Sequence, residues 1–289
     1  MVPSTGFFRS EDHAWLLQTD PVDFERGVFY HTSDGGASWQ RTETPFGSGP
    51  MSFIDTRNGW VMTGLGAGAG SQAIAIFVTH DGGATWAEVY RRDTGEPEPA
   101  GEIPLGGSKQ GITFRDTQHG WVAGSVPADN VSYLYATKNG GGNFQQQDIP
   151  LPTGITSAML SLEAPVFHAT LEGVLPVYAF TADMMSTVFY TTVDGGVSWT
   201  PTTAVPIIGR YSIPTINDFI VWDGNVLYRS SDSGQTWMEI TPNINLDQMV
   251  ATLEFVDGQN GWVTWMDADG NTGLSRTMDG GATWTTLQP

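Results

Sequence analysis

A short motif that recurs six times along the chain constrains the fold more than any other feature. Its copies read TSDGGASW, THDGGATW, TKNGGGNF, TVDGGVSW, SSDSGQTW and TMDGGATW, and they centre on Asp34, Asp81, Asn139, Asp194, Asp232 and Asp279. The centres lie on average about 49 residues apart, so six units account for the whole chain of 289 residues. A period of this length is typical of repeat architectures, in which each unit is one supersecondary structure.

A second, weaker motif precedes each copy. An aromatic or aliphatic residue is followed six positions later by a small residue and then by Trp, as in FIDTRNGW and FRDTQHGW. The six occurrences are Phe8/Ala14/Trp15, Phe53/Gly59/Trp60, Phe114/Gly120/Trp121, Phe167/Gly173/Val174, Ile213/Phe219/Ile220 and Phe255/Gly261/Trp262. Gly and Trp are lost in the fifth occurrence, and Trp is lost in the fourth.

The pattern within one unit predicts four short antiparallel strands. The first ends near the Phe, the second starts at Gly-Trp, the third is the alternating stretch before the recurring motif, and the fourth starts at its final Trp. The recurring motif is then the turn between the third and fourth strands: Asp accepts hydrogen bonds from turn amides, Gly supplies positive φ, and Trp packs between neighbouring units. Four-stranded units repeated in this way predict an all-β fold and a single six-bladed β-propeller. The predicted blades are residues 1–45, 46–92, 108–150, 160–206, 207–246 and 247–289.

Composition narrows the function classes. The chain has 31 Asp plus Glu against 12 Lys plus Arg, a net charge of −19, and no Cys. Such acidity argues against a nucleic-acid partner and against anionic membranes, so basic or neutral partners are expected. The absence of Cys excludes disulfides, thiol catalysis and thiolate metal sites. No apolar run is long enough for a membrane helix, and the start MVPSTGFF does not read as a signal peptide.

The recurring motif resembles the Asp-box, also called the bacterial neuraminidase repeat. The preceding F-x-D-x-x-x-G-W element resembles the propeller repeats of photosystem II assembly and stability factors. This resemblance covers essentially the entire chain and implies that the boxes are structural and lie away from the ligand face. The residues to which it gives this structural role are Asp34, Asp81, Asn139, Asp194, Asp232 and Asp279, with the aromatics Trp39, Trp86, Phe144, Trp199, Trp237 and Trp284.

The resemblance to sialidases does not extend to their catalytic residues. Those enzymes use three Arg on the substrate carboxylate, a Tyr nucleophile and an Asp acid, and their first Arg precedes Ile-Pro ahead of the first box. Here neither Arg9 nor Arg26 is followed by Ile-Pro, and the last unit contains no Tyr. No catalytic residue is therefore assigned. A secreted glycoside hydrolase or polysaccharide lyase of a divergent sialidase-like type stays open as the alternative function.

Candidate ligand-binding residues come from the loops expected opposite the boxes. The longest insertion is Tyr90 to Gly111, and further long loops are expected at Gly124 to Ser132 and Tyr178 to Thr187. The glycine-rich run from Gly64 to Ser71 is also expected to be a loop. Cationic, acidic and stacking side chains in or beside such loops are the candidates: Arg26, Arg91, Arg92, Asp129, Asp183, Arg210, Tyr211 and Trp222.

Together these features predict a non-catalytic β-propeller that acts as a binding or assembly module for a protein or a glycan at its loop face. We expect a monomer with no cofactor, no metal, no nucleic-acid partner and no membrane insertion. An extracytoplasmic or secreted location is expected from the resemblance, with the export signal removed or never present, and a cytoplasmic location stays open.

Overall fold

The computed structural model describes residues 4–95, 99–246, 249–266 and 269–287. Within these ranges the secondary structure consists of 25 β-strands and no helix, and the strands that pair within one repeat are antiparallel. The predicted all-β class is confirmed. By contact, the chain divides into two compact units, Met1–Asp148 with Ser161–Pro165, and Ile149–Leu160 with Val166–Pro289.

The strands follow one another with short connections. In chain order they are β1 Ser4–Phe8, β2 Ala14–Thr19, β3 Gly27–Thr32, β4 Gln40–Thr44, β5 Met51–Phe53, β6 Gly59–Gly68, β7 Ser71–Thr79, β8 Ala87–Arg92, β9 Ser108–Phe114, β10 Gly120–Asp129, β11 Leu134–Thr137, β12 Gln145–Gln146, β13 Met159–Leu162, β14 Val166–Phe167, β15 Gly173–Phe180, β16 Met185–Thr192, β17 Thr200–Pro201, β18 Arg210–Ser212, β19 Phe219–Trp222, β20 Leu227–Ser230, β21 Met238–Ile240, β22 Val250–Phe255, β23 Gly261–Met266, β24 Thr272–Thr277 and β25 Thr285–Leu287.

The prediction of six blades is wrong, because the structure has four. Four separate four-stranded sheets are present, each with its strands in sequence order: β1–β4, β5–β8, β18–β21 and β22–β25. The strands from β9 to β17 belong instead to one nine-stranded sheet. Within it, β9–β12 pair in sequence order in the first unit, and β14–β17 pair in sequence order in the second. Because β14 has only two residues, it covers little of the edge of β15.

In four of the six repeats, the Phe and Gly of the second motif are directly paired across the first hairpin. Phe53 pairs with Gly59 and Phe114 pairs with Gly120. A Cβ atom added at Gly120 would lie 2.6 Å from the Phe114 ring, and one at Gly59 would likewise meet the Phe53 ring. Because the aromatic ring lies over the glycine, any larger residue would displace it. The six-residue spacing therefore reflects the close contact between the Phe ring and the paired Gly.

The Trp that follows this Gly joins neighbouring blades. Trp15 of the first blade stacks on Phe53 of the second, with ring centroids 4.1 Å apart, and its indole N–H donates to the carbonyl of Gly82, 3.1 Å away. Trp60 repeats the arrangement toward the next repeat: it stacks on Phe114 at 3.8 Å and donates to the equivalent box carbonyl at 3.0 Å. A stacked and hydrogen-bonded indole is thus the recurring link along this unit.

The aromatic residues that end the boxes lie mostly in the cores between adjacent sheets. Trp86 contacts Phe29 edge to face at 5.2 Å, and Trp284 stacks on Trp222 at 5.0 Å. Trp39 differs, since 40% of its surface is exposed. Apolar packing between sheets therefore supplies most of the core, as expected for stacked repeats.

Several segments predicted to be loops are mostly strand. The glycine-rich run from Gly64 to Ser71 forms the ends of β6 and β7, joined by a turn with φ of 51° at Ala69 and 80° at Gly70. Two consecutive positive φ values are what a tight two-residue hairpin turn requires, and glycine favours them. The long predicted loops around residues 124–132 and 178–187 are similarly shortened, because β10, β15 and β16 extend into them.

Candidate functional site

The two ends of each four-stranded sheet differ in structure. The box end carries the turn between the third and fourth strands and the turn of the first hairpin. The loop end carries the turn of the second hairpin and the connection to the next repeat. In the unit containing residues 1–148, its described residues include 20–26, 45–50, 69–70, 93–95 and 99–107. Antiparallel order forces this separation, because alternate turns must lie at opposite ends.

The box turns are closed by their own side chains. Asp34 accepts hydrogen bonds from the Thr32 hydroxyl at 2.8 Å, the Ser38 amide at 2.8 Å and the Ser38 hydroxyl at 2.6 Å. The Ser38 hydroxyl and amide contribute most to lowering the pKa of Asp34 to about 2, because they stabilise its charged form. Asn139 accepts from Thr137 at 2.9 Å with its single amide oxygen.

Each box is also tied to the first hairpin turn of its own repeat. A backbone N–H in the box donates to a carbonyl of that turn at 2.9–3.1 Å. The six pairs are Gly35–Asp12, Gly82–Arg57, Gly140–Gln118, Gly195–Leu171, Ser233–Asn217 and Gly280–Gln259. With their polar groups engaged internally, the boxes are structural turns, so the candidate binding residues are those of the loop end.

The predicted site residues Arg91 and Arg92 are adjacent on β8 but have different surroundings. Arg91 forms a two-point ion pair with Glu88, at 2.9 and 2.6 Å. Arg92 is only 4% exposed, donates to the Ile103 carbonyl at 2.9 Å and lies 3.6 Å from Glu102. Buried and ion-paired, Arg92 holds the loop instead of facing solvent.

The long connection between β8 and β9 is anchored at two points. Beside Arg92, the Tyr90 hydroxyl donates to Glu102 at 3.2 Å, and burial is the main cause that raises the pKa of Tyr90 to about 12. Lys109 is 5% exposed, and its ammonium donates to the carbonyls of Gln72 and Leu105, both at 2.8 Å. The described part of this connection, residues 93–95 and 99–107, is therefore fastened to β7, β8 and β9.

The predicted residues Arg210, Tyr211 and Trp222 lie on the paired strands β18 and β19. Arg210 is exposed and its guanidinium donates to the Val250 carbonyl at 3.4 Å. Tyr211 packs edge to face on Phe189 at 5.8 Å. Trp222 is fully buried in a core cluster, so its indole has no face open to a ligand in solvent.

The two predicted acidic residues lie in or beside second-hairpin turns. Asp129 is exposed at the end of β10, next to Asn130, whose φ is 62°. Asp183 is exposed in the turn between β15 and β16, where its amide donates to the Thr181 hydroxyl at 3.3 Å. The structure places both on the loop ends of their own repeats.

A groove of about 550 Å³ lies at the loop end of the first blade. It is lined by Asp23, Glu25, Arg26, Glu43, Thr44 and Pro45. Arg26 lies 3.4 Å from Asp23, and both side chains remain more than half exposed. With three carboxylates and one guanidinium in its wall, the groove is acidic. Of these residues, the sequence predicted only Arg26, although the acidic run DPVDFER was visible between β2 and β3.

The loop that forms one wall of this groove is preorganised. The Asp20 carboxylate accepts from the amides of Val22 at 2.8 Å and Asp23 at 3.2 Å, and these two bonds lower the pKa of Asp20. The Arg26 amide closes the loop on the Asp23 carbonyl at 3.0 Å. Two apolar side chains of this ordered loop face solvent: Val22 is 89% exposed and Phe24 is 69% exposed.

Comparisons with known proteins agree on the architecture. No family model and no curated protein sequence matches the chain. A solved structure of YCF48 bound to a D1 peptide is 18% identical, with a TM-score of 0.56 over 98% of this chain and 85% of that one. The chain is a β-propeller.

Two enzymes share the architecture of this propeller. A polysaccharide lyase of family PL25, an ulvan lyase, is 11% identical with a TM-score of 0.58 over 98% of this chain and 81% of that one. The GH74 xyloglucanase from Xanthomonas campestris is 14% identical with a TM-score of 0.56 over 94% of this chain and 45% of that one. At these identities the likeness shows the fold alone, and fold does not fix function. Among the residues that the structure describes, no helix could span a bilayer.

Proposed function

We propose that this propeller is a non-catalytic binding module that holds a cationic segment of a protein partner in the acidic groove of its first blade. One observation carries the proposal: Asp23, Glu25 and Glu43 line a single open groove beside one arginine. Lysine and arginine side chains form charge-assisted hydrogen bonds with such carboxylates. The net charge of −19 adds a long-range field that attracts the same partners.

The apolar neighbours of the groove favour a polypeptide as the ligand. Val22 and Phe24 are held out to solvent by an ordered loop, so they can be buried on binding at little conformational cost. An interface with an aromatic anchor and a charged rim is the arrangement found in protein complexes. A peptide partner is compatible with this fold, because YCF48, which shares the fold, is solved bound to a D1 peptide.

The contacts of the arginines support a non-catalytic role. Arg91 is paired with Glu88, and Arg92 is buried against Glu102, so neither is presented as a free fork for a substrate carboxylate. To bind a substrate carboxylate, a guanidinium group must point its N–H donors at the ligand. Here the donors stabilise the loop after β8.

The proposal is tested by neutralising the groove. In the variant Asp23→Asn/Glu25→Gln/Glu43→Gln, we expect a fluorescent Lys/Arg-rich peptide to bind at least about tenfold more weakly in an anisotropy titration. Peptides of the same length that are neutral or acidic should not bind the wild-type protein. Equal binding of peptides of all charges would contradict the proposal.

A matched control removes three carboxylates elsewhere. Glu11→Gln/Asp148→Asn/Glu172→Gln changes the net charge by the same amount at exposed positions outside the groove. If the groove acts as a site, this variant should lose less than about twofold in affinity. A loss equal to that of the groove variant would show that net charge alone attracts the peptide, and the groove would lose its assigned role.

The proposal also includes a location outside the cytoplasm. Its support is the resemblance of the repeats to those of secreted and surface Asp-box propellers. Fractionation of the source cells, with the protein followed by antibody, tests it. Recovery in the cytoplasmic fraction alone would refute this part.

A further inference from the structure

In the second blade, β6 extends beyond β5, the first strand of the blade, with which it pairs. β5 pairs with β6 only from Gly59 to Val61, and Met62 makes one further bond to the Pro50 carbonyl. In the flanking repeats, the first strand pairs with more of the second strand: β1 pairs with β2 up to Gln18, and β9 pairs with β10 up to Ser125. The end of β6 therefore projects past the strand that should cover it.

We call the segment from Gly64 to Gly68 the open edge. One side of it pairs with β7, and no strand among the described residues pairs with the other side. All five residues are exposed, and a Cβ added at Gly64, Gly66 or Gly68 would meet nothing within 4 Å. At about 3.3 Å per residue, the segment offers roughly 16 Å of accessible backbone.

The open edge contains an irregularity between Gly64 and Gly66 but carries no charged residue and no proline. Proteins place charged residues or proline on exposed edges, because unpaired N–H and C=O groups bind other strands. The outer edges of this unit follow that rule, since β4 carries Arg41 and Glu43 and β8 carries Glu88 and Arg91. Residues 59–79, which form the whole β6–β7 hairpin, contain no charged residue and no proline. Residues 59–63 and 73–79 of this hairpin are buried, so its uncharged surface consists of residues 64–72, which include the open edge.

The open edge is continuous with the acidic groove. At the groove, Gly47 lies against Phe24, whose carbonyl would be 2.6 Å from a Cβ at that glycine. The Ser48 amide donates to the Thr19 hydroxyl at 2.8 Å, and Gly49 packs on the backbone of Met62, at the start of the projecting part of β6. The short connection between the first two blades thus leads from the groove to the open edge.

We propose that the open edge binds an extended, uncharged stretch of the same cationic partner by β-strand addition; this inference rests on the proposed function of the groove. Main-chain hydrogen bonds to β6 would hold the stretch, and the absence of side chains on the glycines would let its backbone approach. Charge argues against a second copy of this chain as the occupant, because two bodies of −19 repel one another.

The test exploits the period of a strand, in which alternate N–H groups point to opposite edges. The probe is a synthetic peptide in which a Lys/Arg run precedes an alternating Thr–Val segment. Two versions carry N-methyl groups on the odd or on the even residues of that segment, with side chains and charge unchanged. We expect one version to bind at least about tenfold more weakly than the unmethylated peptide and the other to bind as well as it does.

Equal effects of the two methylation patterns, whether both bind or both fail, would overturn strand addition. The groove proposal is judged separately, from the unmethylated peptide and the Asp23→Asn/Glu25→Gln/Glu43→Gln variant. Sedimentation velocity of the protein alone tests whether a second copy of this chain pairs with the open edge. A dimer that dissociates when the peptide is added would assign the open edge to a second copy and overturn the peptide assignment.

Discussion

Replacing Trp15 by Phe tests the link between the first two blades. The indole is fully buried, stacks on Phe53 and donates to the Gly82 carbonyl, which lies in a buried box residue. Phe keeps the ring stack but removes the N–H donor and the second ring. The substitution therefore separates the hydrogen bond and local packing from the presence of an aromatic residue.

The structure sets the size of the effect. Removing the donor leaves the buried Gly82 carbonyl without its hydrogen bond, which costs roughly 1–3 kcal/mol. The smaller ring gives up about 1 kcal/mol of burial. We expect Trp15→Phe to lower the free energy of unfolding by about 3 kcal/mol.

Urea unfolding followed by far-ultraviolet circular dichroism measures this change. Trp39→Phe is the matched control, because Trp39 belongs to the same blade and is 40% exposed. Its substitution should cost less than about 1 kcal/mol. A cost for Trp15→Phe no larger than that for Trp39→Phe would refute the assigned role of the Trp15 indole.

Three further predictions follow from individual contacts. Gly120→Ala drives a Cβ into the paired Phe ring and should lower stability by about 1–3 kcal/mol in thermal unfolding, whereas Gly106→Ala, with open space around it, should not. Asp194 has its pKa lowered to about 2, chiefly by the Ser198 hydroxyl and amide, so its contribution to stability is present above the unfolded value of 3.8 and lost as pH falls through 2. Asp194→Asn should therefore flatten the decline of the melting temperature between pH 5 and 2, and an unchanged decline would contradict this. Arg92→Met should release the connection after β8, measured as faster hydrogen–deuterium exchange in residues 99–107 with exchange at the box turns unchanged.

The sequence predicted the features that adjacent or directly paired residues encode. Phe53, Gly59 and Trp60 sit in one hairpin, so their spacing reports the ring over the glycine and the start of β6. The box turns were equally readable, because Asp34 and its donors lie within a few residues of one another. Contacts between residues close in sequence produce a recognisable spacing, and its repetition in six copies makes the prediction secure.

Longer-range features left no such pattern. β13 lies at Met159–Leu162, outside both repeated motifs, so the nine-stranded sheet could not be predicted from them. The carboxylates of the groove come from two separate segments, with Glu43 distant in sequence from Asp23 and Glu25. The sequence also could not predict which side chains are buried. Arg92 and Trp222 are residue types typical of binding sites, yet both are buried in the structure. The run from Gly64 to Ser71 was predicted as a loop because glycine is common in loops, although here it serves a hairpin turn and an open edge.

Hydrogen–deuterium exchange of the propeller with and without a Lys/Arg-rich peptide tests the central claim most directly, because it locates the bound peptide. Binding in the groove predicts slower exchange in residues 20–27 and 41–48, which carry the groove and the ordered loop. Exchange at the box turns, such as residues 192–199, should not change. Protection confined to the box turns, with residues 20–27 unaffected at saturating peptide, would contradict the account.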